Sequence, residues 1–199
     1  EAPIPTPRWS FSENESMPAA AMKASFPLLA LIAVSALLPA RADHHEDPLF
    51  QTTFLRQFEN ASGKVMDLGG AFPEEGYNWR PAEGVRSVRE VLLHTAAANF
   101  FIGSRLGAKI PDDVNPRELE KTVEGKDEVL EVLKRSIDFA SAAVKDLPEE
   151  ELATEVDLFG RKAPKMMAVL IIGAHANEHL GQLIAYARSS GVVPPWSEK

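Results

Sequence analysis

Apolar residues recur at helical spacing in four stretches of the chain. Within each stretch, three or four residues separate successive apolar positions, which is the period of an amphipathic α-helix that buries one face. Strand-like alternation is nearly absent outside residues 154–163, where a segment around Gly160 predicts a small hairpin or an extended loop. The sequence therefore predicts an all-α, up-down four-helix bundle. The four predicted helices cover about residues 50–68, 88–102, 129–144 and 164–190.

Residues at the ends of these stretches support the predicted boundaries. Ser87 and Glu90 have the spacing of a capping box, in which each side chain satisfies a free backbone amide at the start of the second helix. Pro164 suits the first turn of the fourth helix, and Gly191 suits its end. The connection at about residues 106–124 is long and holds two prolines, so we expect a crossover loop between the second and third helices, or a lid over one end of the bundle.

The first 42 residues are expected to lie outside the folded domain. Met22 and Lys23 precede an apolar run, and the segment ends in Ala-Arg-Ala, which together indicate a signal peptide at residues 22–42 with cleavage after Ala42. Residues 1–21 are interpreted as a disordered leader or a start assigned too far upstream, and residues 43–199 as one domain. We therefore predict a periplasmic or secreted protein. An uncleaved anchor is the alternative, but the run is shorter than the ~20 residues that span a bilayer, so we expect no stable membrane insertion.

Composition limits the possible chemistry. The 199 residues carry a net charge of −8 without a basic cluster, which argues against binding to nucleic acid or to anionic membranes. Cysteine is absent, so disulfides, thiolate nucleophiles and zinc–thiolate sites are excluded. Any metal site must use histidine, aspartate or glutamate.

Three of the five histidines lie on predicted helices. His175 and His179 are four residues apart, about one helical turn, so their side chains project from one face of the last helix. His94 lies on the apolar stripe of the second helix. If the two helices face each other, three imidazoles converge in the bundle and form a metal site with an open coordination position, as catalytic metals use.

The segment YNWRPAEGVRSVREVLLH, residues 77–94, adds a family resemblance. Its aromatic-x-Trp-x-Pro entry into the second helix, together with two histidines and a following glutamine on the last helix, resembles the DinB-like family over about residues 48–196. The resemblance implies a four-helix bundle, often a homodimer, that holds one divalent metal ion. It puts His94, His175 and His179 in the ligand positions.

Three further residues border the predicted metal site. Glu178 follows His175 by three residues and is a candidate base acting through water, or alternatively an exposed or interface carboxylate. Gln182 and Tyr186 continue the stripe of the two histidines, so we expect them to support the metal ligands from outside. Tyr186 alternatively fills the core.

These observations predict an exported DinB-like metalloprotein with a tri-histidine site for one divalent ion, such as Zn, Ni or Fe. The expected activity is metal-dependent hydrolysis or group transfer on a small-molecule substrate of unknown identity. Related bundles transfer low-molecular-weight thiols in the cytosol, which the predicted export does not match. The alternatives are a non-catalytic metal-binding or interaction bundle, in which the ion joins the helices, and a metal-free bundle whose histidines bond to one another.

Overall fold

The computed structural model of the chain describes residues 48–197, and the predicted leader and signal peptide lie outside these residues. Its described part is mostly helical, as the apolar spacing predicts. The elements are α1 (Leu49–Ala71), α2 (Val88–Arg105), the short α3 (Leu119–Thr122), α4 (Lys126–Lys145), strands β1 (Glu155–Leu158) and β2 (Arg161–Pro164), and α5 (Lys165–Ser189). Short 3-10 turns lie at Glu74–Asn78, Glu149–Glu151 and Pro195–Ser197.

The four long helices form the predicted bundle. Helices α1 and α2 lie diagonally across it, and each packs against both α4 and α5. Arg89 near the start of α2 bonds to Val123 just before α4, and Asn99 farther along α2 bonds to Ser136 farther along α4, so these two helices are parallel. The crossover at residues 106–125 therefore returns the chain along the bundle. The up-down order holds from α1 to α2 and from α4 to α5, and the crossover interrupts it between α2 and α4.

The core runs through the bundle and is formed by apolar side chains from all four long helices. Its largest fully buried members include Phe58, Leu92, Phe100, Leu133 and Leu183, each no more than 1% exposed. Burial of this apolar surface supplies the main driving force for folding. The helices thus have a reason to associate that does not depend on the histidines.

The segment between α1 and α2 is fixed at several points. The predicted capping box is present: the Ser87 hydroxyl accepts from the Glu90 amide at 3.3 Å, and the Glu90 carboxylate accepts from the Ser87 amide at 2.7 Å. The Tyr77 hydroxyl donates to the Gly69 carbonyl, and the Trp79 ring packs edge-on against Tyr186. These contacts hold the backbone just before α2 beside the end of α5.

Residues 154–163 form the predicted hairpin rather than an open loop. Strands β1 and β2 pair antiparallel across a two-residue turn, Phe159-Gly160, in which both residues have positive φ (55° and 80°). Such φ values match the right-handed twist of a tight hairpin. None of the helices within residues 48–197 is long and apolar enough to cross a membrane.

Candidate metal centre

Three histidine side chains meet between α2 and α5. His94 comes from α2, and His175 and His179 come from successive turns of α5. The Nε2 atom of His175 lies 3.3 Å from that of His94 and 3.0 Å from that of His179. Two imidazole nitrogens bound to one tetrahedral zinc ion are ~3.3 Å apart, because each Zn–N bond is about 2.0–2.1 Å. These two distances match that spacing, and because the ligand atoms of all three residues lie within 4.8 Å of one another, a small shift of the rings would let one ion bind all three.

Glu120 fixes the ring of His94 from the outer side. One oxygen of its carboxylate lies 3.2 Å from His94 Nδ1. An ionised carboxylate only accepts hydrogen bonds, so His94 Nδ1 carries the proton and His94 Nε2 directs a lone pair inward. Glu120 lies on α3, within the crossover, and the Arg86 guanidinium in turn binds its carboxylate at 3.0 Å.

A chain of hydrogen bonds sets the ring of His179 in the same way. The Tyr186 hydroxyl donates to the Arg86 carbonyl at 3.0 Å, and the Gln182 amide nitrogen donates to that hydroxyl at 2.8 Å. The Gln182 oxygen is then left to accept from His179 Nδ1, also at 2.8 Å. Because a carbonyl cannot donate, the series of hydrogen bonds has one direction, and it places a proton on His179 Nδ1, so that the neutral form of this ring has its lone pair on Nε2.

His175 lies between the other two rings. Burial, together with the neighbouring His179 and His94, lowers the pKa of His175 to about 4. Burial and the nearby Arg86 also lower the pKa of His94. Both rings are therefore neutral at neutral pH, the state in which imidazole binds a metal.

The three rings fit a metal ion better than they fit one another. His175 Nδ1 is buried without a hydrogen-bond partner among the described residues. A proton on His175 Nε2 satisfies at most one of the two lone pairs that face it, whereas a cation satisfies all three inward nitrogens at once. The donor set consequently fits a divalent ion held by three imidazoles.

The centre is reachable from outside. His179 is 7% exposed, but the His94 side chain is 29% exposed. An open cleft of about 620 Å³ lies beside the outer partners of the histidines and is lined by Arg80, Arg86, Glu90, Glu120 and Gln182, among others. Its two arginines pair with its two glutamates, so the charges in the cleft balance.

The structure brings together most of the residues that the sequence singles out. His94, His175 and His179 share one group of ligand atoms within 4.8 Å of one another, and Gln182 and Tyr186 support it from outside. Glu178 is exposed, and its carboxylate has no hydrogen-bond or ion-pair partner among residues 48–197.

Sequence reasoning missed Glu120 and Arg86. The crossover has no apolar periodicity that orients α3, and Glu120 reaches His94 from 26 positions away. The available signal was weak: an acidic side chain in a segment predicted to cover the bundle.

Comparison with known proteins identifies the family of the chain. The model of the DinB family matches residues 45–199. The chain belongs to the DinB family. No curated protein matches the chain.

Solved structures with the same fold include bacterial DinB-like proteins. A DinB-like protein from Bacillus cereus is 20% identical, with a TM-score of 0.63 over 72% of this chain and 95% of that one. A DinB-like protein from Bacillus subtilis is also 20% identical, with a TM-score of 0.58 over 71% of this chain and 93% of that one. A conserved protein from Enterococcus faecalis is 17% identical, with a TM-score of 0.56 over 69% and 95%. At these identities the likeness shows the fold.

Proposed function

We propose that this DinB-family protein binds one divalent metal ion through His94, His175 and His179, and that it catalyses hydrolysis or group transfer on a small polar molecule. The observation that carries the proposal is the convergence of three Nε2 atoms, two of which have their lone pairs directed inward by partners on the far side of the ring. Imidazole ligands suit Zn²⁺, Ni²⁺ or Fe²⁺.

In this proposal the metal ion and the residues of the protein have different roles. A divalent ion with an open coordination position polarises a substrate oxygen and activates water. The protein's own part is to hold three imidazoles in place, keep a proton on the outer nitrogens of His94 and His179, and orient the substrate. In this proposal Arg80, Arg86 and Gln182 offer hydrogen bonds to a polar molecule in the cleft. Glu120, rather than Glu178, is the carboxylate in contact with the ligands.

Titration of metal-free protein with Zn²⁺ and Co²⁺ tests metal binding. We expect one ion per chain, and no site in His175→Ala. Asn177→Ala is the matched control, because Asn177 is exposed on the same turns of α5 and bonds only to the Gly173 carbonyl. Wild-type protein that binds no ion, or His175→Ala protein that binds as well as the wild type, contradicts the proposal.

The enzymatic part is tested separately on metal-loaded protein. A panel of small esters, amides and phosphoesters, and of thiol acceptors, should reveal one activity that chelation removes and added metal restores. Metal-loaded protein in which the same metal occupies the site but no compound of the panel turns over favours the non-catalytic alternative.

Export and homodimer formation form part of the same proposal. The sequence of residues 22–42 supports export. An apolar groove of about 330 Å³ between α1 and α5, lined in part by Phe50, Phe54 and the half-exposed Leu170, supports a dimer face. Light scattering should give twice the mass of one chain, and Leu170→Glu should give a single chain. A wild-type protein that stays monomeric contradicts the dimer.

A further inference from the structure

Both chains of hydrogen bonds that orient the histidines end at Arg86. Its guanidinium binds the Glu120 carboxylate through Nε at 3.0 Å and Nη2 at 3.4 Å, and Glu120 binds His94. Its backbone carbonyl accepts from Tyr186, which leads through Gln182 to His179. Arg86, which precedes the N-cap of α2, thus contacts residues that orient two of the three histidines.

Hydrogen bonds join the crossover to α2 at the position of Glu120. The Arg89 guanidinium donates to the Glu120 carbonyl at 3.1 Å and to the Val123 carbonyl at 2.7 Å. These bonds hold the backbone of α3, a helix of four residues that local propensity alone would not stabilise. The buried Leu119 next to Glu120 adds an apolar contact with the core.

We propose that Glu120 is a positioning residue for His94, that Arg86 holds Glu120 in place, and that the crossover thereby completes the metal centre. The inference rests on the metal binding proposed above. Without the carboxylate, the partly exposed His94 ring is free to turn and to move its proton from Nδ1 to Nε2, which removes the inward lone pair. Partners in this outer position typically change metal affinity about 10–100-fold.

Glu120→Ala tests the first part of the proposal in the full-length protein. We expect its affinity for Zn²⁺, measured against a chromophoric chelator, to fall about 10–100-fold. Glu120→Gln keeps an acceptor oxygen and should recover part of the loss. Glu118→Ala is the matched control, because Glu118 lies two residues earlier and pairs only with Lys121. Circular dichroism shows whether each variant is folded.

Histidine tautomers give a readout that a general loss of stability would not move. In metal-free wild-type protein at pH 8, ¹⁵N NMR should show the proton of His94 on Nδ1. In Glu120→Ala the population with the proton on Nε2 should rise, while the Glu118→Ala spectrum should match the wild type. Unchanged His94 tautomers in folded Glu120→Ala protein contradict the positioning role.

A double-mutant cycle tests whether Arg86 acts through Glu120. Removing the Arg86 charge also affects a bound cation directly, but this contribution is the same in both backgrounds and cancels in the cycle. We expect the affinity cost of Glu120→Gln to be at least about twofold smaller when Arg86→Gln is present. Equal costs in the two backgrounds contradict a role for Arg86 through Glu120.

The outcomes distinguish the positioning role of Glu120 from the proposed metal binding on which it rests. Wild-type protein that binds no ion contradicts the proposed function, and this inference with it. Wild-type protein that binds an ion, with Glu120→Ala equal to it in affinity, contradicts the positioning role alone.

Discussion

Replacement of His175 by alanine should abolish metal binding while leaving a folded bundle. His175 Nε2 lies 3.0 and 3.3 Å from the other two inward nitrogens, so the change removes the atom that links them. The apolar core is formed by other residues along all four long helices. Folding and the proposed metal binding are therefore expected to separate in this variant.

The size of the effect follows from the surroundings of the ring. Loss of the imidazole removes some packing, but it also removes the buried Nδ1 that lacks a partner, and relief of that desolvation is worth about 1–3 kcal/mol. The two contributions oppose each other, so we expect the metal-free free energy of unfolding to change by about 1 kcal/mol or less. Metal at a hundredfold excess over its dissociation constant adds ~2.7 kcal/mol to the wild type. For a domain of this size, that gain raises Tm by about 5–11 °C.

Thermal melts followed by circular dichroism measure both quantities. Wild-type protein should melt about 5–11 °C higher with Zn²⁺ than with a chelator, and the His175→Ala curve should be the same in both conditions. A helical signal lost at room temperature, both in His175→Ala and in chelated wild-type protein, would refute the reasoning, because the ion would then be holding the helices together.

Three further predictions concern acidity, packing and processing. Burial lowers the pKa of His175 to about 4 from an unfolded value near 6.5, so between these pH values the metal-free folded state binds fewer protons than the unfolded state. The contribution of His175 to the free energy of unfolding should therefore be fully present above pH 6.5 and fall by at most about 3 kcal/mol as the pH drops to 4. Urea titrations at a series of pH values can follow this change. Metal affinity should fall as the pH approaches the lowered folded-state pKa values, about 4 for His175, because protons then compete for the nitrogens. A Cβ on Gly103 would lie 2.8 Å from the Phe139 ring, so Gly103→Ala should destabilise by about 1–3 kcal/mol. Gly181→Ala, with nothing within 4 Å, should be neutral or stabilising by up to about 1 kcal/mol, and equal denaturation midpoints for the two variants would contradict the packing argument. Protein recovered from its native envelope should begin at Asp43, and a membrane-bound form that retains Met22 would support an anchor instead.

The sequence predicts the long helices well because their signals are local. Ser87 and Glu90 form the capping box that their spacing predicts, and α2 begins at the next residue, Val88. Pro164 proves to be the residue just before α5 rather than within its first turn, a difference of one position. Periodic burial and end signals act within a few residues of one another, so they can be read without the fold.

The site is less completely predictable, because part of it depends on contacts between distant segments. The spacing of His175 and His179 places them on one face of α5, and Gln182 and Tyr186 follow from the same helical period. Glu120 does not follow, since its place beside His94 depends on the path of the crossover and on the bonds from Arg89 to the backbone of α3. The role of Arg86 depends on α2 and α5 being antiparallel neighbours, which the pattern of apolar residues leaves open.

The most direct test of the account is anomalous X-ray diffraction from crystals of protein loaded with Zn²⁺ or Co²⁺. We predict one strong peak about 2.0–2.1 Å from the Nε2 atoms of His94, His175 and His179, with His94 Nδ1 still bonded to Glu120. A peak coordinated by Nδ1 atoms or by carboxylates in place of these nitrogens, or loaded crystals with no peak between the three rings, would contradict the account.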